Sequence, residues 1–246
     1  MILTMSFASY ARHRRNKVAD RDSYGFWTKD QWLQKAESID GWMRPVELKL
    51  LFEAAAELPE GARVVELGCW KGRSTLAIGG GLIRTPGVQL FCVDHFTGAP
   101  NQQAGASPTT PIENGEAIYQ EFLRNTEPIE LIRVVLRMTS QNAAAKFENE
   151  SLDWVFIDAS HDYHSVLTDL QTWLPRLRPG GLISGHDYHD SSVKRAVRKM
   201  CGQVEVWDSI WYARRNSNRS PIGKLIQWIA GAKGKQPVDT IGSEEV

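Results

Sequence analysis

Apolar runs recur along the chain, each closed by small or polar residues and separated by stretches of helical spacing. Val46, Leu50, Leu51, Ala54, Ala55 and Leu58 follow the i, i+3/i+4 rule and predict a helix over 45–58. Pro45 suits its first turn, and Pro59-Glu60-Gly61 ends it. A strand is predicted at 63–66. A helix starts at 73–78, but Gly79-Gly80-Gly81 follows at once. Each interior glycine costs about 1 kcal/mol against alanine, so this helix is expected to be short, frayed or broken. Further strands are predicted at 88–93, 129–136, 152–158 and 182–184, and helices at 117–126, 164–174 and 191–200, the last capped by Asp190. The run 152–158 is continuously apolar from Trp154 to Ile157, as a central parallel strand covered on both faces would be. Segments 204–207 and 210–213 read as a closing antiparallel pair turning at Asp208-Ser209. Strands alternating with helices predict an α/β fold with a doubly wound, mostly parallel sheet.

With 246 residues, 42% of them hydrophobic, the chain can bury one sizeable core. The expected organisation is an arm and aromatic-rich preface at 1–43, one domain at 44–213 and a basic tail at 214–246. Residues 1–24 carry Arg12-His13-Arg14-Arg15 and read either as a mobile arm or as one that packs over an active site or a partner subunit. Trp27, Trp32, Ile39, Trp42 and Met43 are expected to pack on the domain rather than form a binding platform. The irregular stretch 95–115 leaves the ligand-facing end of a strand and reads as a lid. In the tail, 225–230 reads as a short helix packed on the domain or on a neighbour, with a peripheral membrane helix as the alternative. The 29 basic and 29 acidic residues balance, so nothing in the overall charge calls for a nucleic-acid partner. Three scattered cysteines suit a reducing compartment, and the expected location is cytoplasmic. No apolar run is long enough for a transmembrane helix, and no secretory signal is read at the start. Homo-oligomerisation is left open.

The chemistry concentrates at strand ends. Glu66 closes the first strand, and Gly68 and Gly72 frame the loop into a helix start at Ser74, where a ligand can approach the backbone closely. The next strand ends in Asp94, twenty-two residues after Gly72. In doubly wound sheets an acid about 20 residues past the glycine loop hydrogen-bonds a ribose hydroxyl. This arrangement resembles the class I S-adenosylmethionine-dependent methyltransferases. The resemblance implies a Rossmann-like, seven-stranded sheet with one antiparallel strand near the C-terminus. It further implies that Glu66 and the loop 68–72 hold the methionine portion of the cofactor, that Asp94 takes the ribose, and that Ser140 lies near the adenine.

A second cluster follows. Asp158-Ala159-Ser160-His161 ends one strand, and Gly185-His186-Asp187 ends the next. In the usual methyltransferase sheet these ends share a rim with Glu66. Two carboxylates and an imidazole suit Mg²⁺, Mn²⁺ or another divalent ion. Together with Pro179-Gly180-Gly181, these motifs resemble the metal-dependent small-molecule O-methyltransferases, among them the macrocin and macrolide-sugar enzymes and the cephalosporin hydroxylase-like proteins, over about 41–213. That resemblance implies Asp158, His186 and Asp187 as metal ligands and His161 as general base, with Asp158 also beside the cofactor. Some relatives carry an oxygen ligand where His186 stands. The expected activity is transfer of a methyl group to a hydroxyl of a small molecule such as a sugar or natural product. Two readings stand beside it: a metal-independent methyltransferase using His161 alone, and a non-catalytic cofactor-binding module. His164 is the alternative base, and His95 and His189 are peripheral candidates.

Overall fold

The computed structural model describes residues 27–97 and 115–215. Seven strands form one sheet in the order β3-β2-β1-β4-β5-β7-β6. They are β1 (Arg63–Leu67), β2 (Gln89–Val93), β3 (Arg133–Leu136), β4 (Leu152–Ile157), β5 (Leu177–Gly185), β6 (Glu205–Trp207) and β7 (Ile210–Arg214). Strands β1 to β5 pair in parallel, and β7 runs antiparallel to both β5 and β6. This is the expected doubly wound sheet. The helices are α1 (Lys29–Glu37), α2 (Pro45–Ala56), α3 (Arg73–Leu82), α4 (Gly115–Asn125), α5 (Ser140–Ala144), α6 (Tyr163–Trp173) and α7 (Ser191–Cys201). Trp32, Leu48, Leu76 and Phe122 join α1 to α4 in a core on one face of the sheet. Ala143, Leu170 and Val193 join α5 to α7 in a core on the other. All six residues of β4 are buried, because it lies at the centre with both faces covered.

The glycine triplet does not break α3, which runs unbroken from Arg73 to Leu82. The glycines bring neighbours close. A Cβ on Gly79 would lie 2.5 Å from Ile129 Cδ1, one on Gly80 2.8 Å from Trp32 Cδ2, and one on Gly81 2.2 Å from the Phe52 carbonyl oxygen. The cost in propensity is offset by packing against three neighbours at once. The same contact corrects the expected start of β3. Ile129 belongs to a 3₁₀ turn, Glu127–Ile129, and is fully buried against Gly79, so the strand begins only at Arg133. Strand β5 is longer than expected. It takes in 178–181 after a register shift against Leu152 and Trp154.

The described part of the preface packs on the domain. Thr28 and Gln31 form a capping box that starts α1, and Trp32, Ile39 and Met43 are buried. Arg73 fastens the segment, donating from Nε to the Met43 carbonyl at 2.8 Å and from Nη1 to the Glu37 and Ile39 carbonyls at 2.6 Å each. Trp42 departs from that pattern: it is 57% exposed and packs at a tilt against Trp70 with ring centroids 5.6 Å apart. The basic arm at 1–24, positions 98–114 of the expected lid and the tail beyond 215 lie outside the described residues. Among the described residues no helix is long and apolar enough to cross a membrane.

Candidate active site

The strand order reverses between β1 and β4, which leaves a crevice at the carboxyl ends of the strands. A cleft of about 940 Å³ opens there. Gly68 forms its floor. Its φ of +80° lies in the left-handed region, and a Cβ would fall 2.1 Å from the Asp158 carbonyl oxygen. Only glycine allows the ends of β1 and β4 to touch in this way.

The structure places Gly68, Ser74, Asp94, Ser140 and Asp158 on the cleft wall, and Glu66 and Gly72 behind it. Glu66 is fully buried, and both of its oxygens are occupied. Ser74 Oγ donates to Oε1 and Thr75 Oγ1 to Oε2, each at 2.5 Å. Burial pushes its carboxyl up to about 7, against the pull of those two hydroxyls. Glu66 therefore shapes the loop from behind, by fixing the first turn of α3. Asp94 holds the same loop from the front. Its Oδ2 accepts from the Cys69 and Trp70 backbone N–H groups at 2.8 and 3.0 Å, and its Oδ1 accepts from Phe96 N–H at 2.6 Å. Ser140 donates to Asp169 at 2.5 Å and accepts from Trp173 Nε1 at 2.8 Å. Asp169 also lines the cleft, and burial pushes its carboxyl up to about 6.

Beside Gly68, ligand atoms of Asp158, His161 and Asp187 lie within 4.8 Å of one another. Asp187 Oδ2 is 3.0 Å from His161 Nε2 and 3.1 Å from His186 Nδ1. His186 Nδ1 is also 3.7 Å from Asp158 Oδ1. Both imidazoles thus approach the carboxylate pair, and the trio that meets most compactly holds His161 where the expected ligand set held His186. Asp187 has φ +57°, a strained conformation for a non-glycine residue, of the kind held only where the surroundings over-determine it. Burial acts to raise the Asp187 carboxyl, but the hydrogen bonds from His161 and His186 hold it well below the usual carboxylate range. Burial raises that of Asp158. The bond to Asp187 raises His161.

Residues 65–188, half of the chain, match the family of methyltransferase domains. The chain belongs to that family. This methyltransferase is similar to an uncharacterized protein of Sinorhizobium fredii, with 30% identity over 129 residues. The match spans 51% of this chain but only 13% of that relative's length. Among solved structures, an S-adenosylmethionine-dependent O-methyltransferase from Thermotoga maritima aligns over 79% of this chain and 73% of its own, with TM-score 0.55 and 10% identity. The O-methyltransferase NovP aligns over 72% and 84%, with TM-score 0.52 and 18% identity. Cofactor-bound Rv0187 of MTB aligns over 76% and 88%, with TM-score 0.52 and 17% identity. At these identities the likeness establishes the fold. The chain carries a methyltransferase domain.

The methyltransferase cleft contains one group that sequence reasoning did not single out. Glu47, on the first turn of α2, reaches His186 and the turn between β6 and β7. The only signal in the sequence is a glutamate three residues into a helix, a position that ordinarily serves the helix start.

Proposed function

We propose that this methyltransferase transfers the methyl group to a hydroxyl oxygen of a small molecule, assisted by a divalent cation held by Asp158, His186 and Asp187. The convergence of Asp158, Asp187 and two imidazoles beside the Gly68 loop carries the reading. The cleft volume falls within the range of small-molecule sites, and the loop presents backbone free of a Cβ at Gly68. S-adenosylmethionine supplies a sulfonium methyl already activated for transfer. A divalent ion on the acceptor oxygen would lower that hydroxyl's pKa.

The residues divide the remaining work by exposure. Gly68, which brings no Cβ to the cleft, and the loop after it would cradle the methionine portion, while Asp94 would take the ribose and Ser140, braced by Asp169 and Trp173, would lie near the adenine. Glu66, with Ser74 and Thr75, keeps that cradle in shape. His186 has a side chain only 9% exposed, so it suits a fixed ligand better than a proton carrier. His161 has a side chain 42% exposed; with Nε2 bonded to Asp187, its other ring nitrogen, Nδ1, is the one that can accept the acceptor's proton and release it to solvent. Asp187 orients that ring through its hydrogen bond. Alignment of donor and acceptor supplies much of the remaining acceleration.

The test is calorimetric titration with S-adenosylmethionine, followed by methyl transfer to a panel of hydroxylated small molecules. Transfer should stop on exhaustive chelation and return with Mg²⁺ or Mn²⁺. Full activity after chelation would remove the cation from the reading. Binding without turnover across the panel would leave only a cofactor-binding module.

A further inference from the structure

Glu47 lies outside every strand-end motif, yet it is fully buried against the candidate cation site. Its Oε2 accepts from Arg44 N–H at 2.7 Å, the ordinary bond of a capping box. Its Oε1 turns the other way and meets His186 Nε2 at 3.3 Å, Ser209 N–H at 3.3 Å and Arg44 Nη2 at 3.1 Å. Helix capping does not require this burial. In α1 the same capping task falls to Gln31, which stays exposed. Burying a carboxylate is costly unless it is paired and hydrogen-bonded, and here the pairing runs toward the cleft. Both oxygens take a backbone N–H, of Arg44 and of Ser209, and the Arg44 guanidinium pairs with Oε1, so the group stands as a carboxylate and can only accept. His186 must therefore donate from Nε2, which leaves Nδ1 facing Asp187 at 3.1 Å and Asp158 at 3.7 Å.

We propose that Glu47 is a positioning residue of the transfer site: by taking the Nε2–H of His186 it fixes the ring and presents Nδ1 to the Asp158–Asp187 carboxylate pair. The proposal rests on the reading that this pair holds a cation beside the acceptor. A carboxylate behind a ligating histidine sets both tautomer and ring orientation, and its loss generally costs about 10- to 100-fold in metal affinity or activity. Without Glu47 the ring can turn over and present carbon in place of Nδ1. The link also makes α2 one of the elements that set the acceptor side of the cleft.

The experiment compares Glu47→Gln, His186→Ala and the double variant. Nitrogen NMR of the histidine rings in cofactor-free protein should show His186 donating from Nε2 in the parent and that hydrogen bond weakened in E47Q, where a neutral amide oxygen replaces the carboxylate. Mn²⁺ affinity should fall about 10- to 100-fold in E47Q, and kcat should fall with KM for S-adenosylmethionine unchanged within about twofold. On the His186→Ala background E47Q should add no further loss, because Glu47 acts through that ring. An E47Q protein that melts earlier but keeps its ring signals, Mn²⁺ affinity and kcat makes Glu47 a helix cap only and overturns the proposal. Additive losses on the His186→Ala background overturn it as well. If the parent transfers no methyl group, the functional reading fails, while the ring spectra still decide whether Glu47 fixes His186.

Discussion

Gly68→Ala probes the contact on which the cleft depends, and Gly180→Ala is its matched control. Both glycines lie at similar positive φ, +80° and +78°. Alanine in that region costs roughly 1–2 kcal/mol. At Gly180 that is the whole cost, because a Cβ there meets nothing within 4 Å. At Gly68 the Cβ would sit 2.1 Å from the Asp158 carbonyl oxygen and 2.8 Å from the Ala159 Cα, both backbone atoms that cannot swing aside. Forcing them apart adds an overpacking cost of about 1–3 kcal/mol. In a domain of this size 1 kcal/mol moves Tm by about 2–4 °C, so G68A should melt roughly 2–12 °C below G180A. The displaced loop should also weaken cofactor binding at least about tenfold, a loss of about 1.4 kcal/mol, while G180A binds as the parent does. Thermal unfolding and calorimetric titration of the three proteins read both effects. Equal melting points with equal affinities would refute the close approach of β1 and β4.

Three further outcomes are expected. The Glu66 carboxyl is raised by burial to about 7, so folding favours its protonated form; its contribution to stability is greatest below about pH 4.5 and is lost as pH rises to about 7. At 1.36 kcal/mol per unit this is roughly 3 kcal/mol, so urea unfolding at a series of pH values should show Glu66→Gln gaining on the parent through that window, and a constant difference would contradict the burial argument. Trp32→Ala removes a side chain that is 1% exposed and packed on Gly80, and should cost about 3–5 kcal/mol in denaturant melts; a cost below about 1 kcal/mol would mean that α1 does not belong to the core. His161→Ala should lower kcat by about 10²- to 10⁴-fold while leaving S-adenosylmethionine affinity intact, and near-parental turnover would transfer the role of base to another group.

Much of the fold could be read from the sequence because its signals are local. The apolar runs at 64–67, 90–93 and 154–157 mark strands whatever packs on them. Gly68 and Gly72 announce a tight turn, and Pro59, Pro175 and Gly202 mark where three of the helices stop. The glycine triplet shows where local reasoning stops. Propensity argues for a broken helix, yet α3 is whole, because Trp32, Phe52 and Ile129 arrive from three distant segments and need the space that side chains would fill. No periodicity encodes that coincidence. The same holds for Ile129, which reads as the start of a strand and serves instead as a plug.

At the site, sequence by itself determined which residue types stand at the strand ends: Glu66, Asp94, Asp158, His161, His186 and Asp187 are all legible as acids and imidazoles that close apolar runs. Only the tertiary structure decided how they divide. It turned Glu66 away from the cleft toward Ser74 and Thr75, placed both imidazoles on Asp187, and brought in Glu47 from a helix that carries no motif. The physical reason is that strand-end chemistry follows from hydrophobic alternation along the chain, whereas the direction and partner of a buried carboxylate depend on donors supplied by elements far away in sequence.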